Sequence, residues 1–420
     1  MATELPHFMS PFIVQAKRFV SVYVLTVAII AGIGVRAADN VAPATQPHVL
    51  SPRVAALPAI TELPDPFIAE DGSRLTNPKQ WPLRRQELLE LVTKYEYGSL
   101  PPISDVAVEM VSTHPATQPA ITDATVMELL LKTGPNQQLK TRLILTIPPA
   151  SALHGPHFPV IVRGDLCWGN VDPRIAETVI GRGYMLAEFD RTMVAADRAG
   201  RANGIYLAYP EFDGGDLVAW AWTFSQVIDY LVTRLDVDAK RVVVTGLSRG
   251  GKAALLAGAL DDRIAVTVPA SSGCGGCAAY RVQPPKSEDI AAITKRFPFW
   301  FEPNFPEFVG YVERLPIDQH EVKALVAPRA LLETAGMADQ WANLPGSEAA
   351  YLGAKEVYKF LGVEQKIGIA WRPGKHEQNL IDWTALLDFA DWQLFGKAPG
   401  RSFDTLAFPE APPAFSWKAP

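Results

Sequence analysis

Cysteine and histidine are scarce in this 420-residue chain, with three copies of one and seven of the other. Three thiols cannot build a disulfide framework, and at least one of them stays unpaired within the chain. Cys274 and Cys277, in "CGGC", have redox-motif spacing. They do not open a helix early in a thioredoxin-like unit, and no further Cys or His clusters nearby, so neither redox nor metal chemistry is indicated. Neither sign of charge dominates: 39 Lys and Arg stand against 45 Asp and Glu, a net charge of −6. The basic footprint of a nucleic-acid binder is therefore missing. Internal repeats are absent too, which excludes a solenoid. What remains is an ordinary globular composition, 48% apolar and 20% charged, able to bury a substantial core. The 36 prolines favour many loops.

A long uncharged apolar run occurs once, near the start. Lys17 and Arg18 precede "FVSVYVLTVAIIAGIGV", with Val35 and Ala37 before a cleavage point. These are the parts of a secretory signal over residues 1–38. The run is short for a spanning helix of about 20 residues, so cleavage after Ala37 or Ala38 is expected, followed by export to the periplasm or beyond with no stable membrane association. The positive region lies far from Met1, and Met9 is an alternative start. Residues 39–64, rich in Pro and Ala, read as an arm. No linker divides residues 65–398, which read as one domain, and 399–420 form a tail.

Within that domain "WPLRRQELLELVTKYEYG", with Pro82 early and Gly98 at its end, predicts a helix. From about residue 105 strands and helices alternate. "TRLILTIPP", "FPVIVRG", "YMLAEFD", "RVVVTG", "IAVTVPAS", "RALLETAG" and "KIGIAWRPG" read as strands. "DLVAWAWTFSQVIDYLVTRL", "KAALLAGAL" and "LIDWTALLDFADWQLFG" read as helices. The alternation predicts an α/β fold, with a mostly parallel central sheet covered on both faces.

Ser248 stands between Gly246 and Gly250, after the branched run "RVVV" and before a helix. In that context G-x-S-x-G is a sharp strand-to-helix turn that lifts a hydroxyl above the sheet and aims the next N–H at a developing oxyanion. The competing reading is a serine that merely caps the helix. A serine nucleophile needs a base and an orienting acid, in the order Ser, acid, His for this turn. Only His320 and His376 follow it. His320 sits at an expected helix start and reads as structural, whereas His376, in the loop "RPGKHEQN" beyond a strand, is the expected base. Asp339, in the loop after "RALLETAG", is the expected acid, against the bland reading of a solvated loop aspartate. Glu333 lies inside the strand and is poorly presented.

These residues resemble the glucuronoyl esterases in their bacterial form. The G-C-S-R-N-G-K signature of the fungal members reads "GLSRGGK" here, and "GALDDRIAVTVPASSGCGGCAAYR", "PFWFEPNF", "LPIDQH", "LVAPRALL", "MADQW" and "GKHEQNLIDW" follow in order. The resemblance spans about residues 65–398 and implies an α/β-hydrolase fold, a three-layer sandwich, acting on esters of (4-O-methyl-)glucuronic acid in glucuronoxylan–lignin linkages. It implies Ser248 as nucleophile, His376 as base and Arg249 as an aid to the oxyanion hole. Lys252, Trp341 and Glu288 stand where the family binds the sugar. Two departures matter. The fungal acid lies 23 positions beyond the serine, where Ser271 stands here, which moves the acid to Asp339. The fungal disulfide is absent, since Leu247 and Glu377 occupy its positions. A bridge from Cys167 to Cys274 or Cys277 is an alternative expectation. The implied mechanism uses no metal or organic cofactor. A carbohydrate acetyl esterase, a non-catalytic hydrolase-like binding module and a peptidase of the same fold are the competing functions.

Overall fold

The computed structural model describes residues 50–153 and 155–420, so the expected signal segment over 1–38 and residues 39–49 of the arm lie outside the described residues. A nine-stranded sheet has the order β1-β2-β3-β5-β4-β6-β7-β8-β9. Its strands are β1 (Ala107–Pro115), β2 (Thr125–Thr133), β3 (Leu139–Ile147), β4 (Phe158–Arg163), β5 (Met185–Phe189), β6 (Val237–Leu247), β7 (Ile264–Ala270), β8 (Ala330–Gly336) and β9 (Ile367–Arg372). From β5 through β9 every neighbouring pair is parallel, and β1, β2, β3 and β5 pair antiparallel. All seven expected strands are present. The added β1–β2 pair has no such signal in the sequence, because β1 is exposed along most of its length and lacks the apolar run of a buried strand.

Side-chain alternation divides the core. Val160, Val162, Val242 and Val244 pack on one face of the sheet with the helices α3 (Asp216–Leu231) and α4 (Arg249–Leu260). Ile161 and Val243 point to the other face, where they meet α2 (Pro173–Gly181) and α7 (Leu380–Phe395). Strand residues alternate sides with a period of two, so a strand buried on both faces needs an unbroken branched run such as "RVVV". Helix α1 (Trp81–Val92) ends earlier than its sequence pattern suggests, and a π-turn over Thr93–Tyr97 carries the chain to Gly98. There φ is +84°, and a Cβ would lie 2.4 Å from Gly214 Cα, so only glycine fits.

The described chain from residue 50 to 420 belongs to one compact unit. Leu63 N–H donates to Ala414 O at 2.9 Å, and the Trp417 indole donates to Leu63 O at 2.7 Å. Leu63 and Phe403 are buried, and Phe415 stacks on Trp417 at 4.2 Å. Proline-rich composition resembles a linker, yet the sparse apolar residues between the prolines cover the body.

Glu96, fully buried, accepts from the Tyr280 hydroxyl and from Gln319 Nε2 at 2.7 Å. Burial pushes its carboxyl up from 4.5 to about 7. Between those values the unfolded chain binds fewer protons than the folded one, so stability falls as pH rises through this window. Glu96→Gln keeps the shape and removes the ionisation. It should be more stable than the parent by about 3 kcal/mol at pH 8 and no more stable near pH 4, read by urea unfolding. An equal gain at both pH values would assign the effect to packing instead.

Candidate active site

The ends of β6, β7, β8 and β9 deliver the site to one edge of the sheet, the carboxyl edge where parallel α/β sheets bind ligands. Ser248 follows β6 with φ +58° and ψ −120°, a conformation costly for any residue with a Cβ. The surroundings over-determine it. Ser248 N–H donates to Ala270 O at 2.8 Å, and Lys252 N–H to Ser248 O at 2.9 Å, the first turn of α4. A Cβ on Gly246 would lie 2.5 Å from Gly250 O, and one on Gly250 1.9 Å from Asp165 Oδ1. Gly246 is thus required by close backbone approach, and Gly250 by the buried Asp165 carboxylate packed against it. The Ser248 side chain makes no cap bond to the helix, so the capping alternative is not what the fold uses.

His376 and Asp339 come from the next two loops. His376 Nδ1 lies 2.6 Å from Asp339 Oδ2. A carboxylate only accepts, so Nδ1 carries the proton and Nε2 is left free for another partner. Asp339 is buried, and its Oδ1 accepts from Ala342 N–H at 3.3 Å. The His376 loop is held from below by buried Arg372, which donates to Pro373 O, Lys375 O and Glu377 O and pairs with Asp382. Gln378 Nε2 ties the same loop to Thr245 Oγ1 of β6 at 2.8 Å. Glu333 is committed elsewhere, paired with buried Lys323 at 2.7 Å. His320 is fully buried at the start of α5 (Gln319–Ala324) against Pro64 O, and burial lowers its pKa to about 4.

Ser248 and His376 line one pocket of about 180 Å³ together with Arg249, Lys252, Ser271, Glu288 and Trp341. Every sequence-predicted site residue but Asp339 is in its wall, and Asp339 stands behind His376. Lys252 is buried and already engaged: it donates to Ser272 O and, at 2.5 Å, to Cys274 O, with Glu288 Oε2 at 3.8 Å. Burial raises the Glu288 carboxyl, while the Lys252 charge and a Trp341 hydrogen bond oppose the rise. Trp341 is half exposed at the rim. The guanidinium of Arg249 is paired with Asp197 at 2.6 Å and lies over the rings of Trp300 and Phe297, 4.8 and 4.9 Å from their centroids.

Several supporting residues escaped the sequence reading. Asp165, two positions beyond β4, is fully buried under the turn and accepts Leu247 N–H at 2.8 Å. Arg191, also fully buried, pairs with it and donates to Gly164 O at 2.8 Å. A charged pair spread over separate loops has no signature in spacing. Trp300 lies in the block "PFWFEPNF", but an aromatic flanked by Phe299 and Phe301 reads as packing. The expected disulfide is corrected: Cys167, Cys274 and Cys277 are all free thiols. Cys274 and Cys277 are wholly buried in the loop after β7, whose Cys274 carbonyl accepts from Lys252, while Cys167 is half-buried after β4. Burial raises all three thiols, Cys167 to about 11.

A family profile described as "Glucuronyl esterase, fungi" matches residues 136–362. A protein named Carbohydrate esterase MZ0003, from an unknown prokaryotic organism, is 31% identical, with 84% of this chain and 94% of that protein covered. The 4-O-methyl-glucuronoyl methylesterase of Schizophyllum commune is 29% identical, with 78% of this chain and 79% of that protein covered. Among solved structures, a carbohydrate esterase family 15 glucuronoyl esterase from Caldicellulosiruptor kristjansonii superposes with a TM-score of 0.74 at 33% identity, covering 88% of this chain and 100% of that one.

Proposed function

The chain belongs to the glucuronoyl esterase family, carbohydrate esterase family 15, and on that premise we propose that it cleaves esters on the carboxyl of (4-O-methyl-)glucuronic acid in glucuronoxylan–lignin linkages, with Ser248, His376 and Asp339 as its triad. It is a carboxylic-ester hydrolase with an α/β-hydrolase-like fold. Ser248 Oγ attacks the uronoyl carbonyl while His376 Nε2 takes its proton. The carbonyl oxygen becomes an oxyanion, held by the Arg249 N–H, the Arg249 side chain and a backbone N–H near Gly164. The C–O bond to the alcohol breaks as His376 returns the proton to the leaving oxygen. Water, deprotonated by His376, then attacks the acyl carbonyl; the bond from the acyl carbon to Ser248 Oγ breaks, His376 returns the proton to Oγ, and the uronic acid leaves. Lys252, Glu288 and Trp341 are the proposed contacts to the sugar.

The observation that carries this reading is the 2.6 Å His376–Asp339 contact beside a serine with positive φ at a strand-to-helix turn. Export follows from the pattern over residues 1–38; among the described residues no helix is long and apolar enough to cross a membrane. The test is hydrolysis of benzyl glucuronate ester against an acetylated sugar, by the parent and by Ser248→Ala. Turnover of the glucuronate ester should dominate and fall by at least about 10⁴-fold in the variant. Preference for the acetyl ester would retain the triad and overturn the substrate. Turnover of neither by folded parent protein would favour a binding module.

A further inference from the structure

Arg249 has five N–H donors on four rotatable stem bonds, and an unrestrained side chain of that kind samples many rotamers. Here one end of the fork is fixed. Nη1 donates to Asp197 Oδ2 at 2.6 Å, and the other oxygen, Oδ1, accepts the Trp300 indole N–H at 2.9 Å. A single carboxylate therefore sets the guanidinium and the aromatic ring beneath it in one relative position. The Trp300 ring stacks in turn on Phe297, with centroids 3.9 Å apart and planes 3° from parallel. On the far side the half-exposed Trp168 ring lies 5.9 Å from the guanidinium carbon. With Nη1 taken, the Nε–Nη2 edge is left, and Arg249 Nε is buried without any acceptor. A buried, unpaired charged donor is costly, and such orphans in native proteins ask for a partner. Arg249 lines the pocket beside Ser248, where an oxyanion would supply one.

Asp197 itself has φ +47°, a left-handed conformation that costs a non-glycine residue about 1–3 kcal/mol and persists only when the surroundings demand it. Its backbone is held by Ala195 O at 3.0 Å. The strain places this carboxylate between Arg249 and Trp300, 52 and 103 residues away in the chain.

We propose that Asp197 is a positioning residue for the ester hydrolysis: its carboxylate locks the Arg249 guanidinium against the Phe297–Trp300 wall, so that the Nε–Nη2 edge is preset toward the oxyanion. This rests on the assignment of Arg249 to the oxyanion hole. No covalent step passes through Asp197, which acts through Arg249 alone.

The experiment is a double-mutant cycle on benzyl glucuronate ester with Asp197→Asn, Arg249→Gln and the pair, each checked by thermal unfolding. Asparagine keeps the size and tolerates positive φ. Removing an oxyanion donor costs about 10²- to 10³-fold in kcat. Arg249→Gln should show that loss, and Asp197→Asn a loss of about 10- to 100-fold with KM within about twofold. The pair should be no slower than Arg249→Gln alone, because Asp197 has nothing left to position. A merely structural Asp197 would instead multiply the two losses and lower the unfolding temperature in step. A rise in kcat for Asp197→Asn would overturn the proposal by making the pair an inhibitory latch. If Arg249→Gln keeps full kcat, the oxyanion assignment fails. If Arg249→Gln is slow and Asp197→Asn is not, only the positioning role fails.

Discussion

Asp339→Asn will lower kcat on a glucuronate ester by about 10³- to 10⁴-fold and leave KM little changed. The asparagine fits the same space, and its Oδ1 can still accept from Ala342 N–H. Yet an amide facing His376 Nδ1 can present its NH₂, which leaves Nδ1 as acceptor and puts the proton on Nε2, where it cannot receive the serine proton. It also removes the negative charge that stabilises the imidazolium formed during attack. Ser271→Ala is the matched control. Ser271 stands in the pocket wall at the position of the fungal acid, with φ +44° and a buried hydroxyl lacking any partner. Its loss should cost less than about tenfold. Equal losses for the two variants, measured as kcat and KM separately, would show that Asp339 is not the orienting acid.

The second large effect lies beneath the serine. Asp165→Ala should destabilise the fold by about 3–5 kcal/mol, because Arg191 would keep a buried charge with its carboxylate partner gone. The same change strands Leu247 N–H, whose acceptor is Asp165 Oδ2. Arg191 has few alternatives. Its guanidinium lies between the rings of Trp168 and Trp220, at 4.5 and 5.0 Å, and its Nε and Nη2 already lack acceptors. The Asp165→Ala, Arg191→Met pair should recover part of the loss, since the uncompensated charge leaves with the arginine. Urea midpoints of the three variants decide this. If the double variant is less stable than Asp165→Ala, Arg191 contributes through its stacking on the two tryptophans rather than through the ion pair.

Much of the fold was legible because it depends on local pattern. Branched runs such as "RVVV" and "FPVIV" are strands whichever sheet they join, and Gly246 and Gly250 declare a turn too tight for side chains. The serine, its histidine and the acid in the loop after β8 follow from strand order, since each loop at the carboxyl edge opens on the same side. How the Pro-rich flanks pack was not legible, because the bond from Trp417 to Leu63 joins residues 354 positions apart. The β1–β2 pair lacked the signal of a strand buried on both faces.

The sequence by itself determined the parallel α/β core, the strand-to-helix turn at Ser248 and the membership of candidates for the triad. All are properties of a few neighbouring residues and their periodicity. Only the tertiary structure decided that Glu333 is claimed by Lys323, that Lys252 is held by loop carbonyls, that the three thiols stay unbridged, and that Asp165 and Asp197 bond to the turn before Ser248 and to Arg249. Partner choice for a buried charge or thiol depends on which groups arrive within about 3 Å of it, and loops far apart in the chain bring those groups together.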